Sequence, residues 1–496
     1  MKDAADTPLL LLVTNTAGDV RRFWLPLLRQ ARTAGFRVCC AVPAPAGGGA
    51  LPALAEEAGL CGRDAGLAAL RVFPLARKGL NPLRDARTCW ALWHIFRQEQ
   101  PQVVLAATIK CVIYGGMAWR LARAARSLIH TVRHWTRMAQ VRAAQRLRRA
   151  AGARALQKAA PAAQDGRTAQ VQAAPRFFAA ITGLGYAFEG GSLPKQALRA
   201  LVCRMYRLAV AASSGVFFQN EADVAVFRTA GILRGGEAAA ARAHGENTAP
   251  AAFASARADG DAVAVRTGGE TAAPASGEAA VPPAGLRPSI CLTAGVGVDL
   301  ERFLPAPLPP LPPDGPLIFL LAARLLLAKG IAEYAAAARL LRQRWPASAA
   351  RFLLLGPLEQ GAGAVTRRQL DGWLAEGALE YLGAAADVRP ALRAAHVLVL
   401  PSWREGRPTV IMEGFATGRP AVLSDVPGCR ETLRHGVEGL LTPPRDAPAL
   451  AAALEELLCA PERVPVLAAA ARRNAVRCCD ARAVAAGMLA FMEGGN

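Results

Sequence analysis

The sequence predicts an α/β protein built from two Rossmann-like domains, each a doubly wound parallel sheet. Three observations predict it. Short, wholly apolar runs such as Leu9 to Val13 and Val397 to Leu400 read as strands buried on both faces. Each is followed by a loop with Gly or Pro and then by a segment of helical character, the grammar of parallel βαβ units. The pattern halts at the stiff, Pro-rich stretch Leu304 to Pro316 and then starts again, which separates two domains. At 496 residues and 53% hydrophobic content the chain can fill both cores.

In the first half, Leu9 to Val13 is followed by a loop containing Gly18. A helix comes next, with Leu25, Leu28 and Ala31 on one face, and stops near Gly35. FRVCCAVP is the second strand, GGGALPALAEEAGL a loop with a short helix, and LRVFPLAR the third strand. A helix follows Asn81-Pro82 and runs to Gln100, and PQVVLAATI is the fourth strand. Two segments lie outside this pattern. Arg133 to Pro175 is rich in Ala, Arg and Gln, and Ala139 to Lys158 has high helix propensity and a basic face. It reads either as an amphipathic helix on an anionic membrane surface or as a solvated insert. Arg234 to Arg287 has few large apolar residues, cannot bury a core, and is expected to be disordered. The predicted divisions are therefore 1–232 with a basic insert at about 136–175, a low-complexity insert at 233–288, a second domain at 289–475, and a last helix at 476–496.

In the second half, LIFLLAARLLLAKGI opens with a strand that ends at Arg324, with Lys329 in the loop before Gly330. ARFLLLGP is the next strand. LEYLGAAADVRPALRAAHVLVLPS reads as strand, loop, helix, strand. A helix is expected from Pro408, which is pre-organised for a first turn, to Phe415, with Gly418 as the stop. Ala421 to Leu423 is a strand, followed by the loop SDVPG and a helix ending at Gly436, and after Ala447 the chain is expected to be helical.

Charge and cysteine content narrow the functional classes. The net charge is +21, and no acidic residue occurs between Pro101 and Gln164. Such a basic region implies an anionic partner: nucleic acid, anionic lipid or a phosphorylated substrate. The basic residues lack interleaved aromatics, which argues against nucleic acid. Eleven cysteines lie scattered without a C-x-x-C, so reduced thiols in the cytosol are expected. His130 and His134 have no further ligands nearby in sequence and do not make a metal site. No eighteen-residue apolar run free of charge occurs, so no spanning helix is expected, and the five-residue run after the acidic N-terminus does not read as a signal peptide.

The chemistry lies in the stretch Val397 to Pro444. Glu405 sits in the loop after a strand, and Glu413 lies eight positions on, upon the following helix. Ligands of open α/β sheets bind at the carboxyl ends of the strands. A helix starting at Pro408 aims the amides of Thr409 and Val410 at that crevice, which suits a phosphate. Ionised carboxylates are pure acceptors and suit hydroxyl groups. Phosphate and polyol together suggest a nucleotide sugar; the alternative is that both glutamates are solvated charges. Arg324 and Lys329 follow a strand and could neutralise a departing phosphate, or be ordinary surface cations. The two glycines of Thr182-Gly183-Leu184-Gly185 allow close backbone approach to a ligand, or form a plain turn. Lys110 could meet a pyrophosphate, or be a surface lysine.

PSWREGRPTVIMEG resembles the E-x7-E signature of retaining glycosyltransferases of family four, which have the two-domain GT-B fold; Gly414 replaces the usual Ala. The R-L-x-x-x-K-G of Arg324 to Gly330 is similar to the family's diphosphate-binding stretch. LNPLRD, VVLAATIKCVIYG, ITGLGYAF and GVFFQNEADVAVFRTAGI resemble the subgroup that extends polyprenyl-diphosphate-linked sugars. The resemblance implies two domains facing across a cleft, with the last helix crossing back to the first. It implies that Arg324 and Lys329 hold the donor diphosphate, assisted by the Thr409 and Val410 amides. Glu413 would bind the ribose, Glu405 with Gly406 the sugar, and the loop at Leu382 the base. Lys110, Thr182, Gly183 and Gly185 would face the acceptor. It further implies a UDP-hexose or UDP-N-acetylhexosamine donor, a lipid-linked saccharide acceptor, no metal or other cofactor, no nucleic acid, and a cytoplasmic enzyme held peripherally on the inner face of the plasma membrane. The chain departs from its relatives at Phe23-Trp24-Leu25-Pro26, where they carry His-Arg-Leu-Pro, and Arg21 and Arg22 could supply the charge instead. The rival readings are a sugar-nucleotide 2-epimerase of the same fold and a basic nucleic-acid-binding protein.

Overall fold

The structure is a computed structural model. It describes residues 7–494 except 46–50, 62–63, 65, 77–80, 151–173, 185–187, 189–192, 234–240, 243–287 and 362. One compact unit, Met1–Ile129 with Pro175–Gly245 and Arg287–Asn496, holds two parallel sheets. A smaller unit consists of His130–Ala174 and Glu246–Leu286. Of it the structure describes only residues 130–150, which are helical.

The first lobe runs β1 (Leu9–Val13), α1 (Ala17–Asp19), α2 (Leu25–Thr33), β2 (Arg37–Pro43), α3 (Leu51–Glu57), β3 (Ala69–Phe73), α4 (Pro82–Glu99), β4 (Val103–Ala107), α5 (Ile109–Ala150), β5 (Arg176–Ile181), α6 (Leu193–Val210), β6 (Gly215–Phe218), α7 (Glu221–Thr229), β7 (Ala241–Arg242) and β8 (Ser289–Leu292). The second lobe runs β9 (Leu317–Ala322), α8 (Ile331–Arg342), β10 (Ala350–Leu355), α9 (Arg367–Ala375), β11 (Glu380–Tyr381), α10 (Arg389–Ala394), β12 (Val397–Leu400), α11 (Thr409–Ala416), β13 (Ala421–Ser424), β14 (Gly439–Thr442), α12 (Ala447–Cys459), α13 (Arg463–Cys478) and α14 (Ala481–Glu493).

The strand orders decide where ligands can bind. They are β3-β2-β1-β4-β5-β6-β8-β7 and β11-β10-β9-β12-β13-β14. The order reverses between β1 and β4 in the middle of the first sheet, with a second reversal at its β8-β7 edge, and between β9 and β12 in the second sheet. The crevice beyond the carboxyl ends at such a reversal is the usual ligand site of a doubly wound sheet. Both faces of each sheet are covered at its centre, which is why the central strands β1 and β12 are apolar throughout: all five β1 residues and all four β12 residues are buried. Leu11 and Val13 of β1 join the cluster under α4 and α5, while Leu10 and Leu12 join the one under α2.

The last helix does cross back. Val484, Ala485, Met488, Leu489 and Met492 of α14 are buried in the first lobe's core beside Leu27 and Leu28 of α2. The crossing helix starts at Ala481, later than the expected 476, since Ala471, Ala475 and Cys478 of α13 still pack in the second lobe. The Pro-rich segment between the lobes is a strap tied to the second lobe. Buried Arg419 donates to the carbonyls of Ala306 and Pro307, at 2.8 and 2.7 Å, and His396 Nε2 lies 3.1 Å from the Pro309 carbonyl.

Several local expectations need correction. The helix expected to end at Gly436 is a series of turns. Gly428 adopts φ +87°, and its amide donates to the Glu431 carboxylate, so a helix cannot propagate there. Gly18 lies inside α1 rather than in a turn. Pro26 has no N–H to offer the preceding turn, and Val20–Trp24 widen into a π-turn in which the Leu25 amide reaches back to Val20. The basic helix expected over 139–158 starts as α5 and is described to Ala150. Beyond 150 it lies outside the described residues, as does nearly all of the 233–288 insert. The terminal helical region is three helices, interrupted at Pro461 and at Cys479-Asp480. None of the eleven cysteines is in a disulfide.

Candidate active site

The cleft between the two sheets contains two adjoining cavities, of about 920 and about 410 Å3. Arg324, the second residue beyond β9, lines both. So do Thr409 and Val410 of α11. The first amides of a helix have no intrahelical partner, and no side chain caps α11, so these N–H groups are available to an anion.

Lys329 and Glu405, 76 positions apart in sequence, form an ion pair at 2.5 Å with side-chain exposures of 23% and 10%. Backbone contacts bring them together. The Trp403 amide donates to the Ala328 carbonyl at 2.9 Å, which stitches the loop after β12 to the loop after β9. Gly330, at φ +74°, packs so closely that a Cβ there would lie 2.0 Å from the Pro401 carbonyl oxygen. Only glycine fits. Trp403 is itself held by Glu333, at 2.8 Å from its indole nitrogen, and by Arg445, whose guanidinium sits 4.1 Å from the ring. The pair therefore sits on a fixed base, between β9 and β12. Arg324 is looser. Its side chain is 63% exposed, and its ion pair to Glu359 is long at 3.9 Å.

Glu413 lines the larger cavity without joining that pair. Desolvation pushes its carboxyl up to about 7, against the pull of Arg22 and Arg302. Gly406 is the point of closest approach of the lobes. A Cβ there would lie 2.4 Å from Gln219 Oε1 and 2.6 Å from the Thr182 carbonyl oxygen. Two further contacts fasten this loop to the first lobe: Arg404 to Asp223 at 2.5 Å, and the Asn220 amide to the Gly406 carbonyl at 3.2 Å.

The remaining predicted residues divide. Thr182 lines the smaller cavity. Gly183, at φ +142°, follows it with open space around its Cα, and Gly185 lies outside the described residues. Leu382 is 46% exposed and lines neither cavity; its neighbours Ala384 to Ala386 line the larger one. Lys110 lines neither cavity. Its ammonium donates to the Ala76 carbonyl at 2.6 Å and meets Asp85 at 3.3 Å. Sequence reasoning missed Asp19, Thr14, Thr108 and Gln219, which all line the smaller cavity. A signal was available: Thr14, Thr108, Thr182 and Gln219 each occupy the position just past a buried strand. Among the described residues no three His, Cys, Asp or Glu side chains could hold a metal ion together.

Residues 316–460, most of the second lobe, match the family described as glycosyl transferases group 1. Solved structures resemble the whole chain at low identity, and so speak for the fold. A sucrose-phosphate synthase from Thermosynechococcus elongatus aligns over 98% of both chains with TM-score 0.61 and 16% identity. Anabaena HepE in complex with UDP and glucose aligns over 98% of this chain and all of its own, with TM-score 0.58 and 15% identity. The match to the glycosyl transferases group 1 family is thus confined to the second lobe, and the whole chain has the GT-B fold. Among curated relatives, an N,N'-diacetylbacillosaminyl-diphospho-undecaprenol alpha-1,3-N-acetylgalactosaminyltransferase from Campylobacter jejuni is 30% identical over 171 residues, 33% of this chain and 43% of its own. The amylovoran biosynthesis glycosyltransferase AmsK of Erwinia amylovora is 34% identical over 151 residues, 28% and 35% of the two chains. The chain spans about two fifths or less of the length of these relatives.

Proposed function

We propose that the chain is a retaining glycosyltransferase that moves a hexose or N-acetylhexosamine from a UDP-sugar to a saccharide carried on a polyprenyl diphosphate. The observation that carries this reading is the Lys329–Glu405 pair beside Arg324 and the α11 N-terminus, at the reversal between β9 and β12. The larger cavity has the size and polarity for a nucleotide, with Glu413 ready to accept from ribose hydroxyls. Arg324, Lys329 and the Thr409 and Val410 amides surround the position of a diphosphate and stabilise the charge that grows as it departs. Glu405, oriented by Lys329, accepts from the donor sugar's hydroxyls. In the transfer the bond from the anomeric carbon to the diphosphate breaks, and the bond to the acceptor oxygen forms on the same face. The acceptor's proton passes to the departing diphosphate oxygen. The cationic side chains do here what a metal ion does in other transferases.

The Campylobacter relative's diphospho-undecaprenol acceptor supports a lipid-linked substrate. So does α5. Leu121 and Leu128 share one face of its first part and are more than half exposed, beside exposed Arg120 and Arg123. We infer a peripheral seat on an anionic membrane. Among the described residues no helix is long and apolar enough to cross one.

The test is a screen of UDP-glucose, UDP-galactose and their N-acetyl forms, with a chloroform–methanol extract of bacterial membranes as acceptor and product read by mass. Transfer should occur, and Glu405→Ala and Lys329→Ala should each lower it by at least 1,000-fold while remaining folded. Full activity in either variant would remove the site from consideration. Conversion of a UDP-sugar without acceptor would point to the epimerase instead.

A further inference from the structure

The four central strands of the first sheet, in spatial order β1-β4-β5-β6, end side by side at the cleft. The residue immediately after each is polar: Thr14, Thr108, Thr182 and Gln219. All four line the smaller cavity, together with Asp19 from α1 and opposite Arg324, Lys329 and Glu405. Two of them are held at a cost. Thr14 is fully buried, and its hydroxyl has no hydrogen-bond partner. Thr108 is a β-branched residue at φ +76°, a strained conformation that persists where the surrounding structure imposes it, commonly at binding sites.

The charge on this wall is as informative as its position. Among the described residues no Lys or Arg of the first lobe lines the cavity; the cations there come from the second lobe. Asp19 is the one ionisable side chain among the wall's described residues. Hydroxyls, an amide and a carboxylate make a surface for a neutral polyol and a poor one for a diphosphate.

We propose that Thr14, Thr108, Thr182 and Gln219 form the acceptor-sugar subsite, and that Asp19 accepts a hydrogen bond from the hydroxyl that attacks the donor. This rests on the glycosyltransferase reading and names its acceptor half. The acceptor's terminal sugar lies against this wall, and its lipid diphosphate lies outside the cavity. Asp19 aligns the hydroxyl and increases its nucleophilicity. As the acceptor oxygen bonds to the anomeric carbon and the diphosphate leaves, the proton goes to the diphosphate oxygen, and Asp19 stays ionised throughout.

The experiment uses the full chain, the UDP-sugar that the donor screen selects, and the same membrane extract. Asp19→Asn should reduce transfer at least 100-fold. Its donor KM should stay within twofold of wild type, whereas Glu405→Ala should raise it. Gln219→Ala should raise the acceptor KM at least tenfold with donor KM unchanged, and it carries the test if Asp19→Asn does not fold. Transfer by the variants within threefold of wild type overturns the inference, as does a parallel rise in donor KM, which would put Asp19 on the donor. If wild type itself transfers no sugar, it is the glycosyltransferase reading that fails.

Discussion

Glu413 carries a pH dependence that can be read from its surroundings. Desolvation raises its carboxyl from an ordinary 4.5 to about 7, so the folded protein binds a proton that the unfolded chain has released. That contribution to stability is complete below about pH 4.5 and is lost as pH rises to about 7. Glu413→Gln, which mimics the protonated form, should melt at the wild-type temperature at pH 5 and above it at pH 8. Activity should run the other way. If Glu413 holds the donor ribose as proposed, its ionised carboxylate accepts more strongly than the protonated form, so kcat/KM for donor should climb to a plateau above about pH 7 in wild type and lose that limb in Glu413→Gln. A pH–rate profile of both proteins checks it. Gly406 is the second informative residue. Its substitution by Ala would place a methyl group against Gln219 and the Thr182 carbonyl, prising the lobes apart. A fall of at least 100-fold in transfer, with UDP affinity retained by titration calorimetry, is expected.

At the scale of elements, the strap between the lobes matters most. Arg419 is wholly buried with no carboxylate beside it, and its guanidinium is satisfied by carbonyls from the strap, the end of α10 and the end of α11. Desolvation lowers its pKa to about 10, and it stays charged at neutral pH. Arg419→Ala strands these buried carbonyls and should cost about 3 kcal/mol or more in denaturant unfolding. His396 holds the same strap as the neutral ring, since its Nδ1 accepts from the Ile318 amide at 2.9 Å. Burial lowers its pKa from 6.5, so as pH falls below 6.5 the unfolded chain takes up a proton before the folded one. Stability should therefore fall with pH from 6.5 down to the folded-state value, and His396→Gln should flatten that slope in urea titrations.

For the whole molecule, the question is how the lobes are held around the substrates. The Arg404–Asp223 pair crosses the cleft next to Glu405, with Asp223 1% exposed. Arg404→Ala should cost about 2 kcal/mol of closure and appear as a fall in kcat, with donor affinity kept. The exchange Arg404→Asp with Asp223→Arg should restore only part of it, because Asp223 also suits the N-terminus of α7 and an arginine there does not. The α5 face gives a second expectation. Leu121→Glu with Leu128→Glu should abolish pelleting with anionic liposomes, and binding of the wild type should weaken with salt. Pelleting that ignores both changes would exclude α5 as the membrane seat.

Much of this was legible in the residues themselves, because the signals are local. Apolar runs of strand length, Pro408 at a helix start and the spacing of Glu405 and Glu413 depend on neighbours a few positions away, and the two-lobed α/β architecture and the lining of the cleft by Glu405, Thr409, Val410 and Glu413 follow from them. The failures were also local. The turns before Gly436 hinge on one glycine conformation and one carboxylate, and Lys110 was drawn to Asp85 rather than to the cleft. Tertiary structure alone decided what no spacing encodes: that Lys329 meets Glu405, that Arg404 reaches Asp223, and that four residues scattered from Thr14 to Gln219 form one wall. Sheet order is the physical reason. Parallel strands far apart in the chain end side by side, so an active site at their carboxyl ends is assembled by topology and not by sequence proximity.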